Sequence, residues 1–202
     1  MEGKDTYRTL AKPSSEVLFK DRSSKFFGYA FPVTNEDDIK THIEFLKKKH
    51  RSARHWCYAW QLGTEQVRYR ANDDGEPNNS AGQPIYGQIQ SFELTDVLVV
   101  IVRYFGGTKL GVGGLINAYR TSAQLALDAS EIVERTIDAS FQLKFGYQDM
   151  DKVMRLTKEL DANIVSQELA MSCEMVISVR KQKVERLAQR LESLFELEWK
   201  QL

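Results

Sequence analysis

Short apolar runs separated by turn residues dominate the first half of the chain and are typical of β-strands. The predicted strand regions are residues 16–31, which hold two strands around a polar turn, residues 56–62, residues 66–71 and residues 97–105. The middle two flank Gly63 and Thr64, a pair that suits a hairpin turn. The last run is the most apolar and is rich in β-branched residues, so we expect it to be a buried central strand.

Two further segments in this half carry apolar residues at helical spacing. The first follows Pro32, has Thr34 or Asn35 as a candidate N-cap, begins with three acids and ends with three lysines. This charge order suits the helix dipole. The second predicted helix covers residues 115–129. The polar residues 72–83 predict a loop, and residues 106–114 form a glycine-rich connection.

The pattern changes around residues 130–135, where we place a domain boundary, giving predicted domains 1–133 and 134–202. The tail shows a fixed order of elements. It consists of a strand at 139–147, a helix at 149–160, strands at 164–171 and 174–179, a helix at 182–195 and a last strand at 197–202. This β-α-β-β-α-β order predicts a ferredoxin-like domain, so the fold class is α+β.

Composition places the chain among ordinary globular proteins, because 42% of its 202 residues are hydrophobic and 28% are charged. The 28 Lys and Arg residues balance the 28 Asp and Glu residues, so no global positive field favours nucleic acid. Cys57 and Cys173 lie far apart, which argues against a disulfide framework or a thiol-rich zinc site. We predict no metal and no cofactor.

The polar N-terminal residues are not followed by an apolar signal region, and the apolar run at 97–102 is too short to span a bilayer. We therefore expect a cytosolic protein without a membrane partner.

Residues 53–59 contain the first candidate chemistry, His55 and Cys57. The two side chains share a strand face, but a Cys–His catalyst also needs hydrogen-bond reach and an orienting third group. We expect a structural histidine and a buried, inert thiol.

Residues 72–84 concentrate three carboxylates, Asp73, Asp74 and Glu76, around Gly75 and Pro77. Asp-Gly and Glu-Pro have turn chemistry, whereas clustered carboxylates also suit a hard cation or acid–base work. The calcium-loop pattern fails, because Arg70 occupies the position of its first acid.

Residues 103–115 form the most distinctive segment. Glycines between a buried strand and a helix let backbone N–H groups face an anion, and basic side chains add charge-assisted donors. The candidate anion-binding residues are Arg103, Gly106, Gly107, Lys109, Gly111, Gly113 and Gly114. The spacing matches neither a phosphate-binding P-loop nor a dinucleotide fingerprint. Tight turns and close helix–strand packing explain the same glycines equally well.

Taken together and in this order, the three segments resemble the YigZ/IMPACT family. The matching stretches are residues 53–59, residues 73–77 with 81–84, and residues 100–119. The tail is similar to the smaller domain usual in bacterial members. Two departures, at residues 78–79 and at Gln83, bear on a ligand site in that loop.

The resemblance implies an N-terminal domain like the second domain of a small-subunit ribosomal protein, a fold shared with part of elongation factor G. It implies a C-terminal ferredoxin-like domain similar to the last domain of that factor. Eukaryotic relatives with the N-terminal module regulate translation by competing in a pathway that activates an initiation-factor kinase. Bacterial relatives have no settled activity, and the sequence contains no hydrolase motif to support a peptidase.

Three hypotheses for function remain. The leading one is a non-enzymatic protein that binds RNA, the ribosome or a translation-linked protein. The second is an enzyme that holds a phosphate or carboxylate in the glycine-rich loop, with His55 for proton transfer and Asp73, Asp74 or Glu76 for acid–base or metal chemistry. In the third, the motifs maintain the fold and the partner surface lies elsewhere. The sequence predicts no oligomeric state.

Overall fold

The computed structural model describes residues 5–194 and 196–202. The chain divides into two compact units, Tyr7–Arg135 and Thr136–Leu202, and the second unit includes Asp5 and Thr6. We call them the N-terminal unit and the C-terminal unit. The domain boundary between residues 133 and 134 stays a prediction, because a domain is defined by independent folding as well as by contacts.

The N-terminal unit is built on a five-stranded sheet in the order β2-β3-β6-β4-β5. Its strands are β2 (Val17–Asp21), β3 (Ser24–Pro32), β4 (His55–Leu62), β5 (Arg68–Asn72) and β6 (Val97–Tyr104). Every paired strand in this sheet is antiparallel. β6 lies at the centre, and residues 97–103 are all buried, which confirms the predicted central strand.

Helices cover both faces of this sheet. α2 (Gly82–Ser91) and α3 (Gly111–Asp128) pack on one face, where Phe26, Ile101 and Tyr119 belong to the main core. α1 (Glu36–Lys49) packs on the other face through Ile39 and Leu46. The unit is therefore a three-layer sandwich of helix, sheet and helix, in which alternate residues of β3, β4 and β6 serve different cores.

The local sequence explains how α1 begins. The side-chain oxygen of Asn35 accepts hydrogen bonds from the backbone N–H groups of Asp37 and Asp38, at 2.9 Å each. Asn35 is therefore the N-cap, which decides between the two candidates.

Three differences from the predicted elements stand out. α2 was not predicted, and its first residues fall in the predicted loop at 72–83. α3 begins at Gly111, four residues before the predicted start, because its first turn contains three glycines that favour a loop in isolation. A two-stranded sheet of β1 (Thr6–Leu10) and β7 (Ile132–Thr136) was also missed, since its strands are remote in sequence.

The C-terminal unit contains a four-stranded antiparallel sheet in the order β11-β8-β10-β9. Its elements are β8 (Asp138–Gly146), α4 (Met150–Glu159), β9 (Asn163–Glu168), β10 (Ser172–Arg180), α5 (Val184–Glu192) and β11 (Glu198–Gln201). The order β-α-β-β-α-β confirms the predicted ferredoxin-like arrangement. The predicted helix end at residue 195 lies outside the described residues.

Within the described residues, no helix is both long enough and apolar enough to cross a membrane.

The first turns of α2 and α3 provide a matched test of packing. A Cβ atom added at Gly82 would lie 2.5 Å from the backbone nitrogen of Asn72, whereas one added at Gly113 meets nothing within 4 Å. We predict that Gly82→Ala lowers the free energy of unfolding by about 2–3 kcal/mol, because the backbone of β5 must move. Gly113→Ala should be neutral or stabilise by up to about 1 kcal/mol.

Urea unfolding of the two variants and the wild type measures both effects. Equal stabilities for the two variants would contradict this account of the packing.

Candidate functional site

A cleft opens in the N-terminal unit where β6 ends and α3 begins, and it encloses about 340 Å³. Nine residues line it: Glu76, Pro77, Arg103, Phe105, Lys109, Leu110, Gly111, Val112 and Leu115. We call it the Arg103 cleft. It joins the second and third segments singled out in the sequence, because β6 and the loop after β5 are brought together by the sheet.

A buried ion pair forms the floor of the Arg103 cleft. Arg103 Nη1 lies 2.6 Å from Glu76 Oε1, and the two side chains are only 6% and 5% exposed. The hydroxyl of Tyr119 on α3 donates to the same carboxylate oxygen at 2.8 Å. Two buried charges remain stable in such a place only when each is paired and hydrogen-bonded.

The guanidinium of Arg103 has further contacts that fix its position. Nη2 lies 3.4 Å from the hydroxyl oxygen of Ser24, and that oxygen also accepts the backbone N–H of Gly106 at 3.2 Å. The guanidinium carbon lies 5.5 Å from the ring centre of Phe26 and 5.6 Å from that of Phe105, at cation–π distance. Its buried Nε has no hydrogen-bond partner among the described residues.

The polar network continues to Cys57, but it leaves that thiol inert. The sulfur lies 3.3 Å from the hydroxyl oxygen of Tyr119 and 3.0 Å from the carbonyl oxygen of Asp73, so the thiol donates to either acceptor. Burial raises the pKa of Cys57 far above the usual range for a thiol, and burial also raises the pKa of Tyr119. Both groups stay protonated at neutral pH, and a protonated thiol is a poor nucleophile.

The carboxylates of Asp73 and Asp74 lie outside the cleft lining and accept hydrogen bonds from backbone N–H groups. Asp73 accepts the N–H groups of Ala81 and Gly82 at 2.9 and 2.8 Å, and so caps α2 from nine residues upstream. Asp74 accepts the backbone N–H of Trp56 at 2.7 Å and fixes the start of β4. Both carboxylates therefore hold the loop and its neighbours in place.

His55 lies next to the Arg103 cleft without lining it. It pairs directly with Arg103 across β4 and β6. Its Nδ1 lies 2.9 Å from the carbonyl oxygen of Asp74, and a carbonyl can only accept, so Nδ1 carries the hydrogen. The expectation of a hydrogen-bonded histidine at this position therefore agrees with the geometry, and Cys57 is not its partner.

Three of the five glycines in the third segment have a role that their geometry shows. Gly106 lies tightly against the turn between β2 and β3, where an added Cβ would be 2.1 Å from the carbonyl carbon of Ser23. Gly107 and Gly111 have positive φ angles of 88° and 75° and open space around them. The first residue therefore serves packing, and the other two serve turns.

α3 begins at the mouth of the cleft without a side-chain cap and without an acid in its first turn. The first N–H groups of an uncapped helix are available to an anion. Of the seven predicted anion-binding residues, Arg103, Lys109 and Gly111 line the cleft, whereas Gly106, Gly107, Gly113 and Gly114 do not. Anion binding here stays a prediction.

The part of the chain that the structure describes contains no group of three or more His, Cys, Asp or Glu residues arranged to hold a metal ion. Asp73, Asp74 and Glu76 are close in sequence, but each accepts hydrogen bonds from a different part of the unit.

Sequence reasoning missed Tyr119 and Ser24, which complete the network around the ion pair. Tyr119 follows Leu115 by four residues on the apolar side of α3, and both side chains are buried. A tyrosine at such a position needs a partner for its hydroxyl, which was the available signal.

The ion pair at the cleft floor makes a prediction for stability. Glu76→Leu should cost about 3–5 kcal/mol of unfolding free energy, because it leaves the Arg103 charge buried without a counter-charge. Arg103→Met should cost a similar amount. The double variant should lose clearly less than the sum of the two single losses. Urea unfolding of the four proteins measures this coupling, and additive losses would contradict it.

The burial of both cysteines makes a second prediction. Ellman's reagent should label no thiol in the native protein at pH 8, and it should label both after unfolding in guanidinium. The variant Cys173→Ser isolates Cys57. Rapid labelling of Cys57 in that folded variant would show an accessible or activated thiol, contrary to the raised pKa.

Comparisons with known proteins agree with this architecture. The family model of the Impact N-terminal domain matches residues 22–127. An IMPACT family member of Haemophilus influenzae is 32% identical over 186 residues, which cover 89% of each chain. The IMPACT family member YvyE of Bacillus subtilis is 35% identical over 154 residues, which cover 76% of this chain and 70% of that protein.

A crystal structure described as that of a hypothetical protein superposes with a TM-score of 0.72 at 25% identity and covers 97% of both chains. The two-unit α+β fold is therefore shared along almost the whole length. The domain match and the full-length similarity together establish that this chain belongs to the IMPACT family.

Proposed function

We propose that this chain is a non-enzymatic, translation-associated regulator that binds RNA, the ribosome or a translation-linked protein. The observation that carries the proposal is that the candidate catalytic groups already have hydrogen-bond partners within the fold. Asp73 and Asp74 hold backbone N–H groups, Glu76 is paired with Arg103, and His55 donates through Nδ1 to a backbone carbonyl oxygen. A general acid or base must reach a substrate, and these groups are already engaged within the fold.

The mouth of the Arg103 cleft supports binding of an anionic partner. Lys109 is exposed at the mouth and forms no ion pair with any residue in 5–194 or 196–202. The uncapped start of α3 adds N–H donors and the positive end of the helix dipole. Phosphate and carboxylate groups match these donors, and RNA carries phosphates at every nucleotide.

The link to translation comes from the family. The family resemblance implies that eukaryotic relatives with this N-terminal module act in translational control. The same module covers residues 22–127 here. The cytosolic location expected from the sequence is part of the same proposal, because ribosomes and translation factors are found there.

Co-sedimentation with ribosomes and with total RNA, at about 50 and 200 mM salt, tests the proposal. We expect the wild type to sediment with at least one of the two at low salt and to be released at high salt, since phosphate contacts are salt-sensitive. Lys109→Glu should weaken sedimentation, because it places a negative charge at the cleft mouth.

Lys158→Glu is the matched control, since Lys158 is an exposed lysine near the end of α4 without an ion pair among the described residues. Its sedimentation should equal that of the wild type. Loss of binding in both variants would point to net charge alone. Absence of sedimentation by the wild type at either salt concentration would exclude direct contact with RNA or ribosomes and leave a protein partner to be sought.

The alternative, a small-molecule enzyme that holds a phosphate or carboxylate in the glycine-rich loop, retains one supporting observation. The Arg103 cleft is large enough for a small ligand and combines Glu76, Arg103 and Lys109 in its lining. A thermal-shift screen with phosphorylated and carboxylated metabolites separates the two functions. A stabilising ligand lost in Lys109→Glu, together with no ribosome or RNA binding, would favour the enzyme.

A further inference from the structure

Charge is strongly segregated within the N-terminal unit, although the whole chain is neutral. Five exposed cations gather where β2 ends, β3 begins, β4 begins and β6 ends: Lys20, Arg22, Lys25, Arg54 and Lys109. None of them forms an ion pair within the described part of the chain. We call this region the basic end of the sheet.

Strand pairing brings these residues together. Lys20 lies directly opposite Lys25 across β2 and β3, and Lys25 lies opposite Tyr104 across β3 and β6. The backbone N–H of Arg54 donates to the carbonyl oxygen of Arg103 at 3.4 Å, which places Arg54 beside the end of β6. Lys20, Lys25 and Arg54 thus lie along an edge about 14 Å wide, three inter-strand spacings, in which β6 itself carries no exposed cation.

The turn between β2 and β3 connects this row to the Arg103 cleft. Gly106 packs against Ser23, which follows Arg22 in that turn. Arg22 therefore lies close to the loop that carries Lys109, and the basic end is continuous with the mouth of the cleft.

Among the described residues, the acids of this region form no ion pair with the five exposed cations. Glu76 pairs with Arg103, and Asp73 and Asp74 accept backbone N–H groups. The carboxylate of Asp21 has no ion-pair partner among the residues described. Asp73 and Asp74 keep their charge when they accept backbone N–H groups, so three carboxylates without an ion pair stand against five exposed cations, and the surface remains positive.

The opposite end of the same sheet is acidic. Glu36, Asp37 and Asp38 form the first turn of α1, and the ion pair between Glu36 and Arg68 at 3.0 Å places that turn beside the start of β5. Asp96 stands immediately before β6. Glu36 and Asp37 are paired with Arg68 and Lys40, and Asp38 and Asp96 leave this end negative. The unit is thus positive at one end and negative at the other, which the neutral composition conceals.

Aromatic rings accompany the cations. Phe105 follows β6 and is 46% exposed, and its ring is held against the guanidinium of Arg103. Tyr104 is half-buried on the opposite face of the strand end, the face that it shares with its cross-strand partner Lys25, so a bound strand must bend around the end of the sheet to contact both Phe105 and Lys25. Proteins bind single-stranded nucleic acid with exposed aromatic rings and with cations, because bases stack on the rings and phosphates contact the cations.

We infer that the basic end of the sheet is a binding surface for single-stranded RNA, with Phe105 as a base-stacking side chain and Lys20, Lys25 and Arg54 as phosphate contacts. The inference rests on the proposed function, and it specifies which partner the protein binds and which surface binds it. A duplex fits less well, because its bases are already stacked and cannot use Phe105. The positive charge of this surface favours a polyanion as the partner.

Fluorescence anisotropy with a labelled uridine 20-mer and with the matching duplex tests the inference. Three phosphate contacts predict that affinity for the single strand falls roughly 20-fold between 50 and 200 mM salt, from about 0.7 log units per contact. The triple variant Lys20→Gln, Lys25→Gln, Arg54→Gln should lose most of this salt dependence. Lys25→Arg, which keeps the charge, should bind as the wild type does.

Phe105→Leu separates stacking from charge. It keeps an apolar side chain but removes the ring, so we expect single-strand affinity to fall at least fivefold while affinity for heparin, a polyanion without bases, stays unchanged. Equal single-strand affinity of Phe105→Leu and wild type would overturn the stacking role. Stronger binding of the duplex than of the single strand would overturn the choice of partner.

A charge-matched control guards against effects of net charge. Arg120, Arg155 and Lys158 are exposed, have no ion pair among the described residues and lie outside the basic end. Their triple change to Gln should leave RNA affinity unchanged, and an equal loss in both triple variants would overturn the assigned surface. Circular dichroism and thermal unfolding confirm that each variant is folded.

The two proposals fail in different ways. Ribosome sedimentation that persists in the Lys20, Lys25 and Arg54 triple variant would remove this surface and leave the translation role intact. Oligonucleotide binding that depends on these residues, without any sedimentation with ribosomes, would support the surface and remove the link to translation.

Discussion

The buried ion pair between Arg103 and Glu76 is the contact on which the N-terminal unit's site depends. A guanidinium removed from water needs a counter-charge and further hydrogen-bond partners, and here they come from different elements. Glu76 comes from the loop after β5, Tyr119 from α3 and Ser24 from β3. The pair therefore fixes one helix, one loop and two strands in a single arrangement, and the shape of the cleft follows from it.

The sequence was informative wherever structure is decided locally. The strands of the central sheet, α1 and its cap, and the order of elements in the C-terminal unit followed from short-range patterns. α2 escaped prediction because its cap, the carboxylate of Asp73, lies nine residues upstream. The sheet of β1 and β7 escaped because its partners meet only after about 120 intervening residues have folded. Distance along the chain explains why α2 and the sheet of β1 and β7 were missed, whereas the start of α3 was missed because its glycines have weak helix propensity.

The candidate site shows the same division. Sequence reasoning found the polar residues of three segments. It did not find which backbone N–H groups the carboxylates of Asp73 and Asp74 bind, because the fold decides that. Glu76 and Arg103 were assigned separate chemistry, and their pairing follows from the juxtaposition of a loop and a strand that no spacing rule predicts. Composition likewise hid the charge pattern, because a sum of charges contains no information about where they lie.

Separated charge has a consequence for how the N-terminal unit meets other molecules. A body with little net charge but opposite ends of opposite sign experiences a torque in an external field and is turned before contact occurs. Near a polyanion, the end with Lys20, Lys25 and Arg54 turns inward and the acidic start of α1 turns away. Because the field fades beyond about 8 Å at physiological ionic strength, this orientation acts only in the last stage of approach. Neutrality overall thus limits long-range attraction to every anionic surface in the cell, while the dipole still selects the face that arrives first.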